Sequence, residues 1–321
     1  MHTEVFSRNQ APVGLVLRKT WTCLVFAGSL FTSGVFTPAA QAQIETPPQV
    51  FFYNVNTKGG ALGQATVAGK IVTEGVQGPN TFGHWTHIVG LGSERLLFYD
   101  EVANSGAVGH ATVAGTVVTD GVQGPNTFGH WTHVVSLGNE SVFFYNQIVG
   151  SGAVGQATAA GKIVTDGVQG PGTFGYWTYV VSLGNGRVFF YNQSLGSGAV
   201  GHATTAGKIV TDGAQGPGTF GPWTHVVGLG NGRVFFYNEN TRSGAVGHAT
   251  TAGKIVTDGA QGPGTFGPWT HVIGLADGRV FFYNENTRSG AVGHATTAGK
   301  IVTDGTQGPG TFGDWTIIAA L

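Results

Sequence analysis

From residue 49 onward the chain alternates short apolar runs with turn-forming residues, and the pattern returns at a fixed interval. One apolar phrase, Val234-Phe-Phe-Tyr237 in its fifth occurrence, places its tyrosine at Tyr53, Tyr99, Tyr145, Tyr191, Tyr237 and Tyr283, in steps of 46 residues. A second phrase, Trp-Thr-His or a variant of it, keeps the same step from Trp85 through Trp131, Trp177, Trp223 and Trp269 to Trp315. Within one unit the runs 233–238, 245–252, 254–257 and 269–275 each read as a strand, being short, β-tolerant and bounded by Gly, Asn or Asp. Asp258-Gly259 and Asp277-Gly278 read as tight turns, because type I′ hairpins need positive φ at both central residues. No stretch carries a sustained helical period.

Four short strands in each of six units predict an all-β fold, a six-bladed β-propeller built from 46-residue repeats. No linker interrupts the units, so residues 49–321 are expected to form a single domain after a short lead at 43–48. The Phe-Phe-Tyr strand is apolar on both faces, as a strand packed between two neighbouring blades should be. It is placed innermost, next to the axis, with the Trp-Thr-His strand outermost; an order shifted by one strand fits the same pattern. The first unit opens on its first strand and the last closes on its fourth. Each blade is therefore expected from consecutive residues, with the ring closed by side-to-side packing alone. An open solenoid is the structural alternative, but solenoid coils are usually much shorter.

The first 42 residues carry a different pattern. Arg18 and Lys19 precede a mostly apolar run, and Ala40-Gln41-Ala42 fits a signal peptidase site, so residues 1–42 are expected as a bacterial-type signal peptide and the mature chain as secreted or periplasmic. The run is short and interrupted by small polar residues, so no membrane span is expected in the mature chain. The one cysteine, Cys23, falls inside this segment, which excludes a disulfide framework and thiol chemistry from the remainder. Removing Arg8, Arg18, Lys19 and Glu4 with the segment leaves 12 basic and 15 acidic residues, a formal charge of −3. With no basic run, nucleic-acid binding is not expected.

At its repeated phrases the chain resembles the tachylectin-2 family of lectin propellers. The residues that carry the resemblance are Val234-Phe-Phe-Tyr237, Gly244, Gly253-Lys-Ile255 and Trp269, together with their equivalents over nearly all of residues 49–321. The resemblance implies a secreted, multivalent carbohydrate-binding propeller for N-acetylated sugars, with one weak site per blade, glycans or glycoconjugates as partners, and no catalysis. A non-catalytic structural or protein-interaction propeller, holding a partner on its rim or channel mouth, is the alternative, and an exported hydrolase comes third.

The loop Gln261-Gly-Pro-Gly-Thr-Phe-Gly267 recurs in every unit and offers amide and hydroxyl groups of the kind that bind sugar hydroxyls. Gln77, Gln123, Gln169, Gln215, Gln261 and Gln307 are accordingly candidate ligand-binding residues, with the phenylalanines read as plugs between blades. Asn54, Asn146, Asn192, Asn238 and Asn284, joined by Asp100 in the second unit, end the Phe-Phe-Tyr strand and form a second candidate set, with turn capping as the plainer role. The tryptophans suit an interblade seam. His84 and His87, like His130 and His133, stand three apart and so point to opposite faces of a strand, which argues against a shared metal ion. His110, His202, His248 and His294 alternate with Gln64 and Gln156, which suggests hydrogen bonding rather than proton transfer. The regular acids Glu74, Asp120, Asp166, Asp212, Asp258 and Asp304 each precede a glycine. No cofactor is implied by any motif, and no unrepeated constellation marks an active site.

Overall fold

The computed structural model describes residues 47–321. The expected signal segment, 1–42, and Cys23 with it, lie outside the described residues. Six four-stranded antiparallel sheets form the blades of a propeller, as the repeat predicts. In blade two the strands run His87–Gly92, Arg95–Asp100, Ser105–Ala111 and Val117–Gln123, from the axis outward. The Trp-led strand is therefore the innermost one: these strands touch one another from blade to blade in a closed cycle. The Phe-Phe-Tyr strand is second from the axis, one position out from where the sequence suggested. Its apolar character on both faces reflects its place between two seams, where Phe51, Tyr53, Phe98 and Tyr99 are almost wholly buried.

Closure also differs from the expectation. The last strand, Ile317–Ala320, pairs antiparallel with the first, Gln49–Asn54, in a register running from Val50↔Ala320 to Tyr53↔Ile317. Blade one is thus made from both ends of the propeller, and backbone hydrogen bonds close the ring. The shift of strand order and the shared blade have one cause. If the fourth strand of each unit opens the next blade, the final unit must give its fourth strand to the first.

Between neighbouring blades lie six equivalent cores. The seam from blade one to blade two joins Phe51, Tyr53 and Leu62 to Ile88, Leu96, Phe98 and Val117, with Phe82 and Trp85 packed against them. Phe51 meets Phe98 edge to face, with centroids 5.7 Å apart. At about 1.5–3 kcal/mol for each fully buried large side chain, these seams supply most of the apolar stabilisation. The loop phenylalanines are interblade plugs: a Cβ on Gly244 would sit 2.8 Å from the rings of Phe235 and Phe266, so only glycine leaves room for both. Each Tyr hydroxyl ties one blade to the loop entering the next. Tyr99, for example, donates to Gly129 O at 2.8 Å and accepts from Trp131 N at 3.0 Å.

The Asp-Gly pair of the third run, read as a turn, lies inside a longer outermost strand. Ile255–Gln261 continues through it, and the register steps from Val246↔Gly259 to Gly247↔Thr257, leaving Asp258 unpaired as a β-bulge. Bulge and hairpin share the same Asp-Gly signal, because both need an abrupt local turn of the backbone. Among the described residues no helix is long and apolar enough to cross a membrane.

Candidate active site

The glutamines of the repeated loop are held within the frame. In each, Nε2 donates to, and Oε1 accepts from, the main chain of one residue in the next blade. Gln77 binds Val117 in this way at 3.0 and 2.7 Å. The same pairs join Gln123 to Ile163, Gln169 to Ile209, Gln215 to Ile255 and Gln261 to Ile301, and Gln307 returns to Ile71. The asparagines cap and tether. Asn54, Asn146, Asn192, Asn238 and Asn284 accept from backbone amides of the following turn, and their Nδ2 groups donate to the carbonyls of Asp314, His130, Tyr176, Pro222 and Pro268.

The histidines of the Trp-Thr-His phrase are part of the axial frame. His87 Nε2 bonds Thr132 O of the next blade at 3.1 Å, and His133 and His225 repeat the contact. Burial lowers the pKa of all three below 6.5, partly offset by these backbone bonds. His84 instead turns to Asp100, at 3.1 Å, and His130 to Glu101, at 3.4 Å. Among the described residues no group of three or more His, Cys, Asp or Glu is placed to hold a metal ion.

A different constellation gathers at the opposite end of the blades, where the innermost strands turn back. Arg95, the first residue of the second strand, lies directly across from His110 on the third. Asp120 is the bulge residue of the outermost strand, left unpaired between Thr119 and Gly121. The bulge aims its carboxylate at His110, with Nδ1 and Oδ1 2.5 Å apart. Gly161, at φ 68°, lays the next blade's turn against this bulge; a Cβ there would come within 2.6 Å of the Cβ of Asp120. With Nδ1–H donated to the carboxylate, the Nε2 of His110 is the basic nitrogen, on a side chain 44% exposed.

Arg95 completes the group. Its Nη1 donates to Glu140 at 2.9 Å and its Nη2 to Thr158 O at 2.8 Å, while Nε lies 3.6 Å from the other oxygen of Asp120. These residues line a cleft of about 420 Å³ together with Ser93, Glu94, Ala111 and Ala159. His202–Asp212, His248–Asp258 and His294–Asp304 repeat the dyad in blades four, five and six, each at 2.5 Å. Blades one and three carry Gln64 and Gln156 in its place.

Sequence reasoning saw these histidines and acids separately and missed the arginines. The signal lay in comparing the units. Arginine precedes every dyad histidine in its cross-strand register, at 95, 187, 233 and 279, whereas Gln49 and Ser141 stand opposite Gln64 and Gln156. The two turns beside this cleft, in blades two and three, are also singular. Glu94 and Glu140 adopt φ 61° at positions where blades four to six carry Gly186, Gly232 and Gly278.

No protein-family model and no curated protein sequence matches the chain. Solved structures do. A protein from Bacteroides uniformis provisionally described as a 6-phosphogluconolactonase aligns with TM-score 0.54 at 10% identity, over 83% of this chain and 84% of that one. A similarly described protein from Bacteroides fragilis aligns with TM-score 0.53 at 10% identity, over 84% of each chain. The periplasmic gluconolactonase of Pseudomonas aeruginosa aligns with TM-score 0.50 at 11% identity, over 85% of each. The likeness is one of fold.

Three expectations are corrected here. The tachylectin-2 resemblance extends only to the propeller, since the similar structures are described as lactonases rather than lectins. The lectin reading falls with it, and the amides it relied on are engaged by main chain. The expectation that the chain is not an enzyme was drawn from the lack of an unrepeated constellation marking an active site. It is overturned by the same lactonase-named propellers.

Proposed function

We propose that the chain is an exported hydrolase of cyclic esters, acting at the His110–Asp120 cleft of blade two. The observation that carries this reading is the imidazole held by a bulged carboxylate, its second nitrogen open to a concave surface beside Arg95. The names of the similar propellers support the substrate class, and the expected signal segment at 1–42 supports export.

Asp120 fixes the imidazole's orientation and tautomer. His110 Nε2 takes a proton from water as the oxygen adds to the lactone carbonyl, and Asp120 stabilises the imidazolium that forms. Arg95 holds the carboxylates of Asp120 and Glu140 in place beside the imidazole. As the tetrahedral intermediate collapses, the ring C–O bond breaks and the imidazolium returns its proton to the leaving oxygen, so lactone and water become one hydroxy acid. A positioned general base of this kind contributes about 10²–10⁴-fold. The test is lactone hydrolysis by the chain with and without its four dyad imidazoles. Glutamine is the replacement of choice because blades one and three already carry it at Gln64 and Gln156.

A second reading, that the propeller also holds a protein partner on its rim, is supported by the outermost strands. Val72, Val118, Val164, Val210, Val256 and Val302 are about half exposed in every blade.

A further inference from the structure

We propose that the blade-two cleft selects an uncharged lactone, rejects its phosphorylated counterpart and expels the anionic product of its own reaction. The proposal rests on the hydrolase reading and names the substrate class of that same site. Its basis is a charge imbalance peculiar to this cleft, where blade two meets the inner turn of blade three. Glu94, Asp120 and Glu140 stand in the cleft against the single guanidinium of Arg95, a formal charge of −2 with His110 neutral. Arg95 is also committed, ion-paired to Glu140 and bonded to Thr158 O, so it is a poor anchor for a phosphate.

The other dyads lack this imbalance. In blade four Arg187 faces Asp212 at 3.7 Å, and in blade five Arg233 bonds only the carbonyls of Ala295 and Thr296; glycines occupy the flanking turns. Blade six adds one acid, Asp277, beside Arg279 at 2.7 Å. The two glutamates of this cleft, Glu94 in blade two and Glu140 in blade three, also sit where the backbone favours glycine, both at φ 61°. A non-glycine residue there is held against a local conformational cost, and such positions cluster at functional sites.

A neutral lactone enters this cleft without electrostatic penalty. A phosphate of −2 charge meets repulsion from carboxylates a few ångströms away, in a partly desolvated cleft where charges interact more strongly than in water. Hydrolysis then creates a carboxylate inside the cleft, and the same repulsion favours release.

The experiment uses the full chain with H202Q, H248Q and H294Q, so that only the blade-two dyad remains, and compares gluconolactone with 6-phosphogluconolactone. The expected result is a kcat/KM higher by about tenfold or more for the unphosphorylated lactone, with the preference shrinking as salt is added. Glu94→Gln combined with Glu140→Gln should narrow the preference; if that pair fails to fold, Glu94→Gln alone and the salt dependence carry the test. Equal or greater kcat/KM for the phosphorylated lactone, or a preference insensitive to both salt and the substitutions, overturns the proposal and leaves the hydrolase reading intact. Hydrolysis of neither lactone above the spontaneous rate overturns the hydrolase reading itself.

Discussion

Gln307 closes the ring from the side: its Nε2 donates to Ile71 O at 3.0 Å and its Oε1 accepts from Ile71 N at 2.7 Å, joining the outermost strands of the last and first blades. The residues are 236 apart in sequence, yet the contact is the one Gln77 makes with Val117 across an ordinary seam. Gln307→Ala leaves a main-chain donor and acceptor of Ile71 without their partners. The expected cost is about 1–3 kcal/mol, seen as a lower melting temperature in thermal unfolding. Gln261→Ala should cost about the same, because the seams are equivalent.

Closure at the axis rests on backbone pairing, so removing residues 317–321 has a larger consequence. The strand Gln49–Asn54 would lose its inner partner, and Phe52 would lose its packing against Ile318 in the shared core. The truncated chain is expected to lose its cooperative thermal transition. Retention of a sharp transition near the full-length midpoint would show that packing alone closes the ring.

Stability should fall on both sides of neutrality for different reasons. His87, His133 and His225 have folded pKa values below 6.5, so the stability they contribute is present above the unfolded value and is lost as pH falls from about 6.5 towards the folded values. The tyrosines shift the other way. Burial pushes Tyr99 up to about 12 from 10.0, so its contribution is intact below pH 10 and is lost as pH rises from 10 to about 12. Melting temperature against pH should therefore pass through a plateau bounded by these two ranges, with the alkaline limb accompanied by tyrosinate absorbance.

Glu94, the cleft glutamate of blade two, predicts a trade of stability against selectivity. Glu94 holds φ 61° and shows no side-chain hydrogen bond or ion pair among the described residues. Glu94→Gly should raise stability by about 1 kcal/mol while weakening the preference for an uncharged lactone. Chemical denaturation checks the first effect and paired substrate kinetics the second.

The repeat made the architecture legible. Six tyrosines and six tryptophans at one spacing fix the number of blades, and the strand Arg233–Asn238 falls where its apolar run predicts. Strand order was not legible, because a strand buried between two seams and a strand beside the axis both read as apolar. The axis is instead lined by small and β-branched residues such as Val227, Gly228, Ile273 and Gly274. The dyad was half legible. His110 and Asp120 were visible as repeated residues, but Asp-Gly signals a hairpin as readily as a bulge, and only the bulge turns the carboxylate to the imidazole. The glutamines misled for a physical reason: an amide bonds a sugar hydroxyl and a main-chain peptide with the same groups.

Catalysis of lactone hydrolysis by the dyad imidazoles is tested by the rate of gluconolactone opening, above the spontaneous rate, in the wild-type chain and in the H110Q/H202Q/H248Q/H294Q variant. Clear acceleration by the wild type and a loss of about 10²-fold or more in the variant are expected, with thermal unfolding little changed because Gln64 and Gln156 already occupy the same place in blades one and three. Equal rates for the two proteins, or no acceleration by either, would contradict it.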